Sequence, residues 1–353
     1  MKIVCPDCNA TYHIPQEFLP KCETIEFKCE QCSHQIQIAR PPMNEKASPS
    51  DDKGPQPVKR DVERPVEHDA RKVRALKRKI RMYLMGFVPP IAQVIAKAQM
   101  VMANPYSGVR ELAEVIETDQ GITAHALRVA NSAYYGLAGK VTSINHAAVL
   151  LGNRTLGEII TMAAARGLLG ERLKGYGLDS EVLWRHSLAV AVGSRLLAAK
   201  KCPDLAQDAF VVGILHDAGM IMLDPHIFEM KGPFDELISD GSHTFLQAER
   251  MVLGTDHPEV CAEMFEEWGL PSALLKPLAN HHRPTSSGGP LGNVVHVADI
   301  MARRCGYGMG VDDMLYTIDN KAVAFLGLQE EELAAYQSEM GESVETIAAD
   351  SLE

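Results

Sequence analysis

The sequence predicts an all-α main domain preceded by a small β module, and three observations carry that prediction. From Phe87 onward apolar residues recur at helical spacing in run after run, and no run sustains period-two alternation. The first forty residues instead hold short alternating runs, 11–14, 25–27 and 35–38, around two Cys-x-x-Cys pairs. Between these regions, residues 41–70 are rich in Pro, Ser, Asp, Lys and Glu with almost no large apolar side chain, the composition of a flexible linker. At 353 residues the chain is too long for one ordinary core.

The N-terminal module, residues 1–40, holds five of the eight cysteines. A secreted disulfide framework would spread its cysteines through the fold and follow a signal peptide, and Met1 to Ala10 has no apolar h-region. The expected location is cytoplasmic. The pairs are Cys5-Pro6-Asp7-Cys8 and Cys29-Glu30-Gln31-Cys32. Two intervening residues let both thiolates of a tight turn point at one ion, and two such turns give the closed four-sulfur geometry of structural zinc. Forty residues bury too little apolar surface to fold alone, so the metal supplies folding free energy. Cys22, off the repeat, is an alternative ligand that the spacing disfavours. A thioredoxin-like redox pair would need a βαβ context, which is absent. The phrase Cys5-Pro6-Asp7-Cys8 with Tyr12-His13-Ile14-Pro15 resembles the short zinc ribbons that open many bacterial regulatory proteins.

Residues 71–86 form a basic helix leading into the next domain. Arg71, Lys72, Arg74, Lys77, Arg78, Lys79 and Arg81 come with no acid among them, while Val73, Leu76, Ile80 and Leu84 recur at helical spacing. An anionic partner is one reading, nucleic acid included. The favoured one is an apolar stripe packed on the domain with its charges solvated. The chain's net charge of −11 argues against broad nucleic-acid binding. Helices then follow at about 91–103, 108–117, 121–131, 143–150, 153–169, 180–199, 206–219, 243–253, 257–268, 271–281, 290–305 and 320–326. Apolar stretches such as 188–199 are broken by Gly193, Ser194 and Arg195 and read as too short to cross a bilayer. Residues 327–353, rich in Glu, read as a solvated acidic tail.

Two stretches carry a family resemblance. The first holds Asn104-Pro105-Tyr106-Ser107, then Asn131-Ser132-Ala133-Tyr134-Tyr135-Gly136, then Leu150-Leu151-Gly152. The second holds Trp184-Arg185-His186-Ser187, Leu215-His216-Asp217-Ala218-Gly219, His257-Pro258-Glu259-Val260, Trp268-Gly269-Leu270-Pro271, His281-His282-Arg283-Pro284 and Val297-Ala298-Asp299. Together these resemble the HDOD domain, a bacterial signalling module related to the HD superfamily of metal phosphohydrolases. The likeness covers about residues 84–306 and implies an HD-like helical bundle over residues 87–326.

The residues themselves point to a second metal site. His186, His216, Asp217 and Asp299 lie in strongly apolar runs, and a carboxylate buried there costs several kcal/mol unless it is paired or coordinated. Imidazole plus carboxylate suits Fe, Mn, Zn or Mg-like ions. His257, His281 and His282 complete the pattern implied by the resemblance, a mono- or two-ion centre in which Asp217 is the candidate catalytic residue. A two-ion centre can hold a phosphoester and activate water. On the other side, Asp299 could pair with Arg303 one turn on, with His296 as its supporting partner. His125, His146, His226 and His243 read as satisfied core residues.

Two departures weigh against catalysis. Met220 stands where HD-GYP relatives carry a lysine, and the Gly-Tyr-Pro loop is replaced by His282-Arg283-Pro284-Thr285-Ser286-Ser287-Gly288-Gly289-Pro290. The expected function is therefore signal transduction through binding of a protein partner or ligand, with the metal site retained. A metal-dependent phosphohydrolase is the first alternative. A nucleic-acid-associated regulator using the ribbon and basic helix is the second.

Overall fold

The computed structural model describes residues 70–86 and 90–351, except 105, 118, 138, 240, 285–287 and 311, together with four short strands between residues 2 and 39. The chain divides into two compact units, Met1–Arg64 and Pro65–Glu353. In the first, β1 (Lys2–Val4) pairs antiparallel with β2 (Thr11–His13), Ile3 opposite Tyr12. In the same unit, β3 (Thr24–Lys28) pairs antiparallel with β4 (Gln35–Ala39), Glu26 opposite Gln37. Each Cys-x-x-Cys pair falls in sequence between the two strands of one ladder. Cys5, Cys8, Cys29 and Cys32, and Cys22 with them, lie outside the described residues.

The described part of the second unit is helical. Its helices are α1 (Ala70–Gly86), α2 (Pro90–Ala103), α3 (Val109–Glu117), α4 (Gln120–Ala130), α5 (Ile144–Leu169), α6 (Ser180–Lys201), α7 (Ala206–Leu215) and α8 (Gly219–Glu229). They continue as α9 (Lys231–Ser239), α10 (Phe245–Leu253), α11 (His257–Glu267), α12 (Ser272–Asn280), α13 (Gly289–Ala302), α14 (Asn320–Leu326) and α15 (Glu330–Ser351). One cluster gathers α2, α3 and α4 on α5; in the other, α6 is central against α7, α13 and α15. Small residues permit the closest approaches. A Cβ added at Gly213 of α7 would lie 2.7 Å from the Ala191 Cα of α6, and one at Gly219 of α8 would lie 2.1 Å from the His257 carbonyl oxygen of α11.

Side-chain caps fix the helix starts that matter most. The Asp256 side chain accepts from the Glu259 N–H, which sets His257 as the first residue of α11. Thr244 and Gln247 form a reciprocal capping box at the start of α10.

The basic helix packs as favoured in the sequence reading. Ile80 is buried, and Lys77 and Arg81 pair with Glu259 (2.6 Å) and Glu267 (2.9 Å) of α11.

The structure corrects three readings. Residues 327–353 are not a solvated tail: α15 buries Tyr336, Met340, Val344, Ile347 and Ala348, a stripe at helical spacing. The expected helix at 206–219 stops at Leu215, and two unexpected helices, α8 and α9, follow it. The segment Pro203–Glu229 is long and apolar enough to cross a membrane by length and composition, and 67% of its apolar window is buried inside the unit. The two helices read on either side of Gly152 are both present, running together as α5 across a break at Gly152, where φ is +77°.

Candidate metal centre

Seven predicted side chains converge at the junction of α6, α7, α8, α11, α12 and α13. His186 comes from the middle of α6, and His216 and Asp217 from the turn between α7 and α8. His257 opens α11, His281 and His282 follow the last residue of α12, and Asp299 lies on the buried stripe of α13. Six of the seven are buried and His282 is nearly so.

Asp217 divides them into two halves. Its Oδ2 faces His216 Nε2 at 3.1 Å and His186 Nε2 at 3.5 Å, and its Oδ1 faces His257 Nε2 at 3.2 Å and His281 Nε2 at 3.4 Å. Asp299 joins the first half, with Oδ1 at 3.2 Å from His186 Nε2. His282 joins the second, with Nε2 at 3.1 Å from His257 Nε2, while its Nδ1 faces Asp299 at 3.6 Å. The ligand atoms of His186, His216 and Asp299 lie within 4.8 Å of one another, as do those of Asp217, His257, His281 and His282.

The tautomers follow from the outer partners. His186 Nδ1 lies 2.7 Å from the Tyr307 carbonyl, His216 Nδ1 2.7 Å from that of Gly213, and His281 Nδ1 2.8 Å from that of Leu278. A carbonyl only accepts, so each Nδ1 carries the hydrogen and each Nε2 turns a lone pair inward. Those lone pairs face carboxylate oxygens, which are acceptors too. The Nε2 atoms of His186, His216 and His281, both Asp217 oxygens, His282 Nδ1 and Asp299 Oδ2 are buried without a hydrogen-bond donor. Acceptors gathered around acceptors in a dry interior require a cation or protons between them. The donor set, five imidazoles and two carboxylates with one carboxylate shared, fits two divalent ions.

Without an ion the cluster takes up protons. Burial opposes charge on His186, but the facing Asp217 and Asp299 raise its pKa to about 9. Burial likewise opposes charge on His257, which Glu249 and Asp217 raise well above the usual histidine range. Asp217 is held well below the carboxylate range, because His216 and His257 outweigh the burial that pushes it up. Asp299 is depressed in the same way, with Arg303 as the main opponent of burial. Burial first, then neighbouring histidines, lower His281 and His282.

Surrounding residues went partly unread in the sequence. Glu249, fully buried on α10, lies 2.9 Å from His257 Nδ1 with both oxygens and accepts the His257 main-chain N–H at 2.7 Å. Its only sequence signal is an acid on the same helix face as the apolar Phe245, Ala248 and Leu253. Arg303 donates from Nε to Asp299 at 2.8 Å, as its spacing allows, and from Nη1 to Asp313 at 2.9 Å. Tyr316 stacks between the Arg303 guanidinium, 4.0 Å from its ring centre, and the His282 ring at 4.9 Å. His296 does not support Asp299: it bonds the His281 carbonyl and the Asp319 N–H, both at 2.9 Å. Of the four histidines read as core residues only His125 is buried, and its Nε2 lacks a partner; His146 is exposed. Met220 is buried in the core, and the loop after His282 includes residues 285–287, outside the described set.

The HDOD domain profile matches residues 88–284, more than half the chain. The chain belongs to the HDOD-domain family. That match takes in six of the seven site residues, and the fold brings in Asp299 from beyond it. Solved HDOD-like folds resemble the chain over most of its length. One is a protein from Shewanella amazonensis SB2B provisionally named a phosphohydrolase, 24% identical over 78% of this chain and 97% of that one, with TM-score 0.61. Another is an HDOD domain protein with unknown function from Geobacter sulfurreducens, 24% identical over 77% and 99%, with TM-score 0.58. A third, from Marinobacter aquaeolei VT8, is provisionally named a signal transduction protein: 18% identical, TM-score 0.62, 80% of this chain and 65% of that one. At these identities the likeness shows the fold alone. An uncharacterized protein of Treponema pallidum (strain Nichols) is 21% identical over 204 residues, 55% of this chain, and the chain spans 37% of that relative's length.

Proposed function

We propose that this chain is a signal-transduction protein whose HDOD domain holds divalent ions, Fe or Mn among those the donor set suits, and acts by binding a protein partner or ligand. The observation that carries the reading is the ring of buried nitrogen and oxygen acceptors around Asp217 with no donor among them. Bound ions would supply Lewis acidity and hold the five ligand-bearing segments together. His186, His216 and Asp299 would hold one ion, His257, His281 and His282 the other, and Asp217 would touch both. Two features favour binding over turnover: the ligand atoms are closed to solvent, and Met220 puts an apolar side chain where a phosphate-facing lysine would stand.

The second reading is a metal-dependent phosphohydrolase, favoured by the placement of Asp217 between the two halves. Metal analysis of the purified chain, with phosphomonoester, phosphodiester and nucleotide substrates supplied to the loaded protein, separates the two. Bound ions that are lost in Asp217→Ala, with no turnover, support the signalling reading. Turnover lost in that variant replaces it with the enzyme. A chain that binds no divalent ion removes both. The proposal also places structural zinc at Cys5, Cys8, Cys29 and Cys32 and the protein in the cytoplasm; the zinc rests on the two-residue spacing of each pair. A Cys29→Ser/Cys32→Ser variant that holds as much zinc as the parent would remove that site. Nucleic-acid binding through the basic helix is the weaker alternative, because Lys77 and Arg81 already pair with α11.

A further inference from the structure

The four site histidines with anchored Nδ1 atoms are not anchored alike. His186, His216 and His281 each donate to a main-chain carbonyl, a neutral dipole. His257 donates to a carboxylate, Glu249, whose two oxygens both stand 2.9 Å away. That carboxylate is fixed from three sides. It accepts the His257 N–H at 2.7 Å and the Tyr176 hydroxyl at 2.8 Å, and Tyr176 is packed edge-on between Phe234 (5.5 Å) and Phe245 (5.6 Å). Tyr176, the other donor, is neutral, so the negative charge of Glu249 acts on His257. Across the centre the imbalance has the opposite sign. Asp299 shares Oδ1 with the buried Arg303, so a positive charge lies against the carboxylate of that half. A carboxylate behind a ligating imidazole raises its basicity and fixes its ring, and losing such a partner costs roughly 10–100-fold in metal affinity.

We infer that Glu249, steadied by Tyr176, is a positioning residue that makes the ion position at His257, His281 and His282 the tighter of the two and the first to fill. The inference rests on the two-ion reading above. The full chain, stripped with chelator, is titrated with Mn2+ and followed by equilibrium dialysis and electron paramagnetic resonance. The wild type takes up ions in two separated steps, and the first gives the signal of an isolated Mn2+. Glu249→Ala weakens the first step by about 10–100-fold. Glu249→Gln weakens it less, since the amide oxygen still accepts from His257, and Tyr176→Phe weakens it least. None of the three moves the second step, whereas Asp299→Asn weakens the second step alone. A purely structural role for Glu249 would lower the melting temperature and both steps together, so the split between steps is the deciding readout. Should Glu249→Ala fail to fold, the Gln and Phe variants decide.

Two equal steps in the wild type overturn the inference while leaving the metal centre standing. An unchanged first step in Glu249→Gln and Tyr176→Phe, or an equal loss in both steps, overturns it in the same way. A wild type that binds no Mn2+ removes the two-ion reading and this inference with it.

Discussion

Gly219→Ala tests whether the close approach of α8 and α11 sets the geometry of the centre. A Cβ at this position would stand 2.1 Å from the His257 carbonyl oxygen, 2.8 Å from the Cys261 nitrogen and 3.0 Å from the His257 carbonyl carbon. All three are backbone atoms, so no side-chain rotation relieves the clash. Restoring ordinary contact requires the first turn of α11 to retreat by about 1 Å. Two opposed effects set the sign. Replacing glycine with alanine in a helix gains up to about 1 kcal/mol. Overpacking a close-packed interface costs about 1–3 kcal/mol, with the upper end expected where only backbone can move. The net is a loss of about 2 kcal/mol, or a fall in melting temperature of about 4–8 °C at 2–4 °C per kcal/mol. The same retreat draws His257 Nε2 away from Asp217 Oδ1, now 3.2 Å off, and that contact lies only two residues from the mutated site. Thermal melts and Mn2+ titration should therefore move together, with weaker uptake accompanying the lower melting temperature. A variant that melts at or above the wild type with unchanged uptake would refute the reasoning.

The metal-free protein should lose stability as pH rises from about 6.5 to 9. The His186 pKa is raised to about 9 in the fold, so the stabilisation its proton provides is complete below the unfolded value and lost as pH climbs through the folded one. His281 and His282 shift downward, and their effect falls below pH 6.5, outside that window. Urea melts across the range check this, and Mn2+-loaded protein should show a flatter profile. Met340→Ala should destabilise the domain by about 2–5 kcal/mol, because Met340 of α15 is fully buried beside Gly193 of α6. A change below about 0.5 kcal/mol in chemical denaturation would mean α15 does not pack there. Removing both Lys77 and Arg81 by alanine substitution should cost no more than about 1–2 kcal/mol, less at high salt, since both pairs are partly exposed.

Most of the centre was legible because it breaks a rule that sequences otherwise keep. Asp217 and Asp299 interrupt strongly apolar runs, and a carboxylate there announces a partner before any fold is known. Glu249 gives no such signal. It stands between Ala248 and Arg250 in a helix that also carries Gln247, and only the meeting with Tyr176 and His257 gives it a role. The error over α15 has a related cause: its apolar residues at 336, 340, 344 and 347 carry the helical period, but the surrounding glutamates set the average composition. Pro225 and the Gly232-Pro233 pair hid α8 and α9 in the same way, since α8 accommodates an internal proline that reads as a breaker. His296 shows the limit of spacing arguments. One turn from Asp299 places the two on neighbouring positions, yet the ring turns to the His281 carbonyl and the Asp319 N–H.

Burial of the centre bears on function through linkage. An ion bound only by the folded state stabilises it by about 2.7 kcal/mol at a hundred times its dissociation constant. Here the ligand atoms come from α6, the α7–α8 turn, α11, the residues after α12, and α13, so that free energy is spread across the second cluster of helices. The segment after α13 is joined to the ligand residues by Arg303 on Asp299 and Tyr316 over His282, and its Asp319 N–H reaches His296, which bonds the His281 carbonyl. It leads into α14 and then α15, which packs on α6. Under the proposed two-ion reading, an ion entering or leaving would change the restraints on α15, whose exposed residues include Glu331, Glu339 and Glu342. In this chain Arg303 is bound to Asp299 and Asp313, and Met220 is buried in the core. Under the proposed signalling reading, Arg303, Tyr316 and Asp319 would carry ion occupancy outward to α15.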